Sequence, residues 1–385
     1  MIVAAFAAMA LAVTANAAYA QNDCIARSAP EKRYGVTTFS ANYLREKPDF
    51  TAELGNQALM GTVVEILDEE GYWLKVRTPD PYTAWCVDLG VKEMRADEAA
   101  EYVSEEKIIC TADYGTVWDE VGNQVKICDI VAGDLLLYSG KTVNGYHEVR
   151  LPSGETGYVY AEDAEIFSLW SRNCDPSAEN IISTAMRFIG VPYFWGGTSI
   201  KGVDCSGLTK MVWFLNGVLL PRNASMQACV GVPVGTDADT DRFPTDSLEN
   251  FMDSPAFRDE MLHRISGLQP GDLIFFGTPA RGSASVSSDQ SETGHEEGFR
   301  KEKITHVGIY IGRGRFIHAS KMVRINSLIP GDPDFYELSG KMIKARRIIG
   351  SGSGDGVIRI SDSPAYFPSD LTSAATVPEK RQERH

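Results

Sequence analysis

The sequence predicts an α+β protein in which two small all-β units precede a larger mixed region. Short β-branched and aromatic runs alternate with turn residues up to about residue 168, and this scheme repeats after about 70 residues. Helical periodicity begins only near Asp175. The chain has 385 residues, 43% hydrophobic and 23% charged, as is ordinary for a globular protein. Its net charge of -15 argues against nucleic acid and anionic membranes as partners, because both require a basic face.

Residues 1–20, MIVAAFAAMALAVTANAAYA, form an apolar stretch that ends in small residues. Ala18-Tyr19-Ala20 is typical of a cleavage site, so we expect a signal peptide and a secreted, periplasmic protein. A membrane anchor is the alternative interpretation. Export would permit disulfides among six cysteines, which allow fifteen pairings and leave Cys205 as the odd thiol. These six are Cys24, Cys86, Cys110, Cys128, Cys174 and Cys229.

The two all-β units are predicted at residues 33–100 and 101–170. The first contains GYWLKVRTPD followed by YTAWC, and the second contains GYHEVRLPSGETGYVY. Each of these segments ends in an aromatic strand after a polar turn, which indicates an internal repeat.

A mixed region is predicted at residues 174–350. Asp175-Pro176 is a helix start signal, and LQPGDLIFFG and ITHVGIYIGRGRFIHAS have the composition of strands. Thr278 to Lys303 is polar and patternless, which indicates a mobile insertion. Residues 351–385 are predicted to be a disordered tail, rich in Gly and Ser at its start and charged at its end.

The stretch GVDCSGLTKMVWFLNGV, residues 202–218, predicts a helix with Asp204 as its N-cap and Cys205 in its first turn. Asn216-Gly217 supplies the stop signal. The unpaired N–H groups of a first turn and the helix dipole favour a thiolate. We therefore expect Cys205 to be a reactive cysteine of low pKa, with a buried core thiol as the alternative.

A hairpin folded at Gly312-Arg313-Gly314 would bring His306 opposite His318. Directly opposed residues have Cβ atoms roughly 4.5–5.5 Å apart, so one imidazole could orient the other. Cys205, His306 and His318 then satisfy the requirements of a nucleophile, a base and an orienting group. Each residue taken singly is more often structural, and a zinc site would lack a fourth ligand at a short spacing, so we predict no metal.

Three segments together resemble the NlpC/P60 family of papain-like cysteine peptidases: VPYFWGGTSIKGVDCSGLTKMVW, PGDLIFF and ITHVGIYIG followed by FIHAS. The resemblance implies that Cys205 is the nucleophile, His306 the base and His318 its orienting partner, while Tyr193 assists the oxyanion hole. It also implies a papain-like catalytic domain preceded by two bacterial SH3 (SH3b) barrels, which the two β units resemble.

Tandem SH3b domains before an NlpC/P60 domain resemble one subgroup, the γ-D-glutamyl-L-diamino acid endopeptidases. In that subgroup the first SH3b domain narrows the site, which implies that Glu53 and Tyr82 contact substrate, as do Asp204 and Ser206 beside the nucleophile. LPRNASMQ resembles the segment after the nucleophile helix and offers Ser225, although Asn223 stands where the family pattern has aspartate.

The resemblance implies a monomeric endopeptidase that cuts murein peptides with a free N-terminal L-alanine, and it implies no cofactor. Glu53 and Asp204 would bind the alanine amine, because a half-buried cation needs carboxylate partners. The competing hypotheses are a cell-wall-binding SH3b protein with an inactive catalytic fold, and an acyltransferase or amidase on the same fold. The intact Cys/His/His set argues against an inactive domain.

Overall fold

The computed structural model describes residues 32–235, 255–278 and 302–367. Its first part is a seven-stranded antiparallel sheet with the spatial order β3-β2-β6-β5-β4-β1-β7. The strands are β1 (Arg33–Thr37), β2 (Asn42–Arg45), β3 (Leu54–Ala58), β4 (Val63–Glu70), β5 (Trp73–Arg77), β6 (Thr83–Val87) and β7 (Val91–Met94).

The second sheet repeats the first. Its order is β10-β9-β13-β12-β11-β8-β14, which is the first order with every number raised by seven. Its strands are β8 (Lys107–Cys110), β9 (Tyr114–Glu120), β10 (Asn123–Val131), β11 (Leu135–Val143), β12 (Tyr146–Arg150), β13 (Thr156–Tyr160) and β14 (Ala164–Ile166). The internal repeat predicted from the sequence is therefore confirmed, and so is the α+β class with two β units at the front.

A helix that the sequence analysis lacked, α1 (Ala96–Ser104), connects the two sheets. The predicted boundary between residues 100 and 101 falls inside this helix. Its Tyr102 packs between Val36 of the first sheet and Leu137 of the second. The buried carboxyl group of Asp134 accepts the backbone N–H of Met60 at 2.8 Å, which also joins the two sheets.

The remaining part is a helical layer on a six-stranded sheet with the order β18-β23-β19-β20-β21-β22. The helices are α2 (Phe167–Asn173), α3 (Ala178–Arg187), α4 (Cys205–Phe214), α5 (Ala224–Gln227) and α6 (Pro255–Ile265). The sheet strands are β18 (Val232–Pro233), β19 (Leu273–Thr278), β20 (Lys303–Gly312), β21 (Arg315–Ser320), β22 (Met322–Ser327) and β23 (Met342–Arg347). Short pairs complete it: β15 (Thr198–Ser199) with β16 (Gly202–Val203), and β17 (Val218–Leu219) with β24 (Ile358–Arg359).

Helix α4 lies at the centre of the largest core. Leu208, Met211 and Val212 are at most 2% exposed, as the helical stripe predicts, and they pack with Val307 and Ile309 of β20. The helix ends before Gly217, whose φ of 79° is accessible to glycine at little cost. The core thus fixes the first turn of α4 against the start of β20.

The predicted tail is wrong for residues 351–367. Strand β24 pairs with β17, Ile360 is fully buried, and the Phe367 ring stacks on Phe167 with centroids 5.0 Å apart. The Gly/Ser composition at the start of this segment concealed the apolar contacts of Ile360 and Phe367. Residues 368–385 lie outside the described residues.

Residues 1–20 and Cys24 also lie outside the described residues, as do residues 279–301 of the predicted insertion. The insertion joins β19 to β20, whose ends pair with each other at Thr278 and Lys303. No helix in the described ranges is long and apolar enough to cross a membrane.

Candidate active site

Cys205 stands at the N-terminus of α4, directly after the N-cap Asp204. The Asp204 carboxylate accepts the backbone N–H of Gly207 at 2.7 Å, so the predicted cap is confirmed. The low pKa expected of the thiol is wrong. Burial and the nearby Asp204 charge raise the pKa of Cys205 to about 11, although the backbone N–H groups of Val307 and Ser206 act in the opposite direction. Cys205 in the described structure is therefore a neutral thiol.

All the cysteines among the described residues are free. Cys205 is thus unpaired as predicted, but the argument by elimination does not hold, because Cys86, Cys110, Cys128 and Cys174 are equally unpaired. Cys86 and Cys110 are 1% exposed and serve as small apolar side chains within their β cores.

The two histidines meet, but not in the predicted register. The β20–β21 hairpin turns at Arg313 and Gly314, both with positive φ, and pairs Ile309 with Ile317. One position further from the turn, this register puts Gly308, and not His306, opposite His318. His306 reaches His318 diagonally, and the bare Cα of Gly308 leaves room, since a Cβ there would lie 3.2 Å from the His318 Cβ.

A hydrogen-bonded chain starts at His306. Its Nε2 lies 2.7 Å from His318 Nδ1, and His318 Nε2 lies 3.0 Å from Oδ1 of Asn326. The Nδ2 of Asn326 donates to the backbone carbonyl of Asp334 at 2.7 Å. Asn326 was not predicted as a site residue, although it lies two positions from the residue opposite His318 on the same face of the sheet.

This chain fixes the tautomers of both histidines. Burial lowers the pKa of His306 to about 3 and that of His318 to about 4, so both rings are neutral at physiological pH. Because the Asp334 carbonyl can only accept, the Asn326 amide must turn its oxygen to His318. His318 therefore carries its proton on Nε2 and accepts at Nδ1, so His306 donates from Nε2. The free lone pair of His306 is then on Nδ1.

Asp204 and Ser206 belong to a buried cluster around Arg222, a residue that the sequence analysis did not single out. Arg222 contacts both carboxylate oxygens of Asp204 and donates to the hydroxyl of Ser206 at 2.9 Å. Gly196 also donates its backbone N–H to Asp204 at 3.0 Å. The charge of Asp204 is thus already matched by a buried guanidinium, and this cluster holds the turn before α4 in place.

Tyr82 lies at the edge of the first sheet that faces the α4 N-terminus. Burial and the hydrogen bond to Glu46 raise the pKa of Tyr82. The charge of Asp204 acts in the same direction and the charge of Arg222 in the opposite one. Its hydroxyl donates to Glu46 Oε1 at 2.5 Å. Both groups lie over Gly55, where a Cβ would come within 2.3 Å of them.

Glu53 is exposed, and no side-chain hydrogen bond or ion pair of Glu53 occurs within the described ranges. Its neighbour Leu54 does contact the catalytic region, because a Cβ at Gly196 would lie 2.4 Å from the Leu54 carbonyl oxygen. Tyr43 adds an aromatic contact to Phe194, with ring centroids 6.0 Å apart. The first sheet therefore borders the turn that precedes the nucleophile helix.

Burial raises the pKa of Tyr193 to about 12, and the Asp204 charge and the neighbouring Cys205, once ionised at high pH, act in the same direction. Its hydroxyl is therefore protonated and able to donate. Ser225 is exposed on α5, and its carbonyl accepts the Cys229 thiol at 3.5 Å. The described contacts do not connect Ser225 with Cys205.

Two further residues beside the histidines were not predicted as site residues. Tyr336 is 9% exposed and packs its ring 4.7 Å from His318 and 5.9 Å from His306. Arg324 is paired with His318 across β21 and β22. The motifs gave no signal for either, because both follow the second histidine in a segment without a recognisable pattern.

Comparisons with known proteins match two parts of the chain. Residues 190–331 match the NlpC/P60 family, and residues 40–89 match the bacterial SH3 domain. A gamma-D-glutamyl-L-lysine dipeptidyl-peptidase of Bacillus cereus is 26% identical over 72% of this chain and 71% of its own length. Dipeptidyl-peptidase 6 of Lysinibacillus sphaericus is 28% identical over 76% of this chain and 90% of its own length.

Solved structures show the same fold. An NlpC/P60 family protein from Bacillus cereus superposes with a TM-score of 0.60 at 22% identity, covering 82% of this chain and 99% of that chain. An NlpC/P60 endopeptidase from Photobacterium damselae has a TM-score of 0.55 at 14% identity, covering 86% of this chain and 74% of that chain. Both matches extend over the β units as well as the catalytic region.

Proposed function

Because this chain carries an NlpC/P60 domain behind a bacterial SH3 domain, we propose that it is a cysteine endopeptidase of murein peptides. The bond cut is the amide between γ-D-glutamate and a diamino acid, in peptides whose N-terminal L-alanine is free. Support comes from two relatives over about three quarters of the chain, one named gamma-D-glutamyl-L-lysine dipeptidyl-peptidase and the other dipeptidyl-peptidase 6. The single observation that supports the chemistry is the Asn326–His318–His306 chain beside the α4 N-terminus.

The neutral state of the groups favours general-base attack over a preformed ion pair. The Cys205 sulfur attacks the γ-carbonyl carbon as its proton passes to Nδ1 of His306. The oxyanion is stabilised by first-turn backbone N–H groups and the Tyr193 hydroxyl. His306 then gives the proton to the departing amine, and the C–N bond breaks. Water hydrolyses the thioester by the reverse proton path.

The free amine of L-alanine is proposed to lie at the edge of the first sheet. Tyr82 forms a wall there, and Ser206 and Ser225 are kept as candidate polar contacts. Three carboxylates are candidates for the amine: Glu53 and Asp204, as the sequence suggests, and Glu46, which the Tyr82 hydroxyl orients. Glu46 is the better candidate, since the charge of Asp204 is taken by Arg222 and no side-chain contact in the described ranges orients Glu53.

Activity is tested with purified protein and the synthetic tripeptide L-Ala-γ-D-Glu-meso-diaminopimelate, with products identified by mass spectrometry. We expect L-Ala-γ-D-Glu and the free diamino acid from the native chain, and no turnover from Cys205→Ala. Acetylation of the alanine amine should greatly reduce cleavage. Equal rates on free and acetylated peptides would refute the end pocket, and cleavage by Cys205→Ala would refute the nucleophile.

Export to the periplasm is the proposed location, supported by the apolar residues 1–20 and the Ala18-Tyr19-Ala20 site. N-terminal sequencing of protein isolated from its native host should give a start near Gln21. A chain that still begins at Met1 would contradict this proposal.

A further inference from the structure

Arg324 lies on the face of the catalytic sheet that carries the histidine pair. In the β21–β22 register it stands directly opposite His318, so the two side chains share one face with Cβ atoms about 4.5–5.5 Å apart. Burial is the main cause that lowers the pKa of His306 and His318, and the positive charge of Arg324 adds to it. The same charge also acts on Tyr336. Arg324 therefore belongs to the surroundings of the reaction centre.

The guanidinium of Arg324 has no anionic partner. Its Nε is buried and makes no hydrogen bond, and no ion pair of Arg324 occurs in the described part of the chain. Other arginines of this domain are matched by carboxylates: Arg222 by Asp204, Arg264 by Glu260 and Arg347 by Asp272. A partly desolvated cation without a partner is costly, so this site is prepared for an anion.

The position of Arg324 indicates which part of the substrate supplies that anion. His306 protonates the leaving amine, and Arg324 lies on the histidine side of the nucleophile. The first sheet with Tyr82 borders the other side, where the alanine amine is proposed. The residue that leaves with the amine is the diamino acid, which carries an α-carboxyl group and, in diaminopimelate, a second carboxyl group on its side chain.

We propose that Arg324 binds a carboxylate of the diamino acid on the leaving-group side and thereby determines which diamino acid or chain end is accepted. This inference rests on the proposed function. A guanidinium can donate two parallel hydrogen bonds to a carboxylate, which a lysine ammonium group cannot reproduce. Binding there would also place the scissile nitrogen near the proton donor His306.

The test measures kcat/KM on three peptides that share L-Ala-γ-D-Glu. The first ends in L-lysine amide and has no leaving-side carboxylate, the second ends in L-lysine with its α-carboxylate, and the third ends in meso-diaminopimelate amidated at its α-carboxyl group, leaving only the side-chain carboxylate. Arg324→Gln should lose about 10- to 100-fold on the peptide whose carboxylate is bound. On the lysine amide it should lose less than about 3-fold.

Arg324→Lys should restore part of the loss, since it keeps the charge but not the fork. Arg359→Gln, at an exposed arginine of β24, is the matched control and should leave all three rates unchanged. An equal loss of kcat/KM on all three peptides would overturn carboxylate binding. Arg324 would then act only through its effect on His306 and His318. If the native chain cut none of the peptides, the proposed function would fail, and this inference would fall with it.

Discussion

Asn326→Leu is the sharpest test of the proton path. The leucine is close to asparagine in shape but removes the oxygen that accepts the Nε2 proton of His318 at 3.0 Å. His318 can then move its proton to Nδ1 and donate to His306. The proton of His306 would in turn shift to Nδ1, the atom that must accept the thiol proton. The substitution therefore favours a tautomer that cannot act as base.

The expected loss of kcat follows from the burial of the histidine pair. His318 is 0% exposed, so its Nε2 proton would find no water in place of the lost oxygen. A buried donor left unsatisfied costs about 1–3 kcal/mol, and this energy is added to the barrier of the active tautomer. The expected loss is roughly 5- to 150-fold in kcat, with little change in KM, because the substitution lies behind the histidines.

The assay combines steady-state kinetics on the tripeptide with nitrogen NMR of the histidine rings, which reports the tautomer directly. Asn216→Leu is the control. Asn216 is 7% exposed, against 9% for Asn326, and its amide also makes two hydrogen bonds, to Thr184 and Val212. It should lower the melting temperature without lowering kcat. Native kcat in Asn326→Leu, or an unchanged His306 tautomer, would refute the proton path.

Three further predictions follow from the same contacts. His306 and His318 have pKa values of about 3 and 4 when folded, against 6.5 when unfolded, so the free energy of unfolding should fall as the pH drops below about 6.5. Urea unfolding should show a loss of about 2 kcal/mol per histidine at pH 5. Because the pKa of Cys205 is raised to about 11, its labelling rate with iodoacetamide should rise about tenfold per pH unit between about pH 7 and pH 10. A labelling rate that is already constant near pH 7 would show a preformed ion pair. Glu46→Gln should raise KM for the free-amine peptide by about 10- to 100-fold, whereas Glu53→Gln should not, and the opposite result would restore Glu53 as the amine ligand.

The sequence predicted what local patterns encode. The α4 stripe, its Asp204 cap, the Gly-rich hairpin and the repeated β units all appear in the structure, since each is determined by residues close together in the chain. The segment after residue 350 was mispredicted because its burial depends on partners such as Phe167, which no local pattern reveals. Tertiary contacts determine the structure of residues 351–367.

The electrostatics of the site could not be predicted for a related reason. The helix dipole of α4 favours a thiolate, but the burial of Cys205 and the charge of Asp204 raise the thiol pKa instead of lowering it. Arg222 lies seventeen residues after Cys205, and Asn326 twenty residues after His306. Only folding brings these side chains to the groups whose charge and tautomer they control.

The charges of Glu46 and Arg324 would also give the proposed cleft a direction. Glu46, beside Tyr82 on the first sheet, offers a negative charge at one end, and Arg324, opposite His318, offers a positive charge at the other. A murein tripeptide has the complementary arrangement, with an amine on alanine and a carboxylate on the diamino acid. Bound in the reverse sense, it would bring like charges together at both ends and leave Arg324 unpaired, which costs several kcal/mol. The direction in which the peptide lies across Cys205, with its alanine end toward Glu46 and its diamino acid toward Arg324, would therefore follow from these two charges.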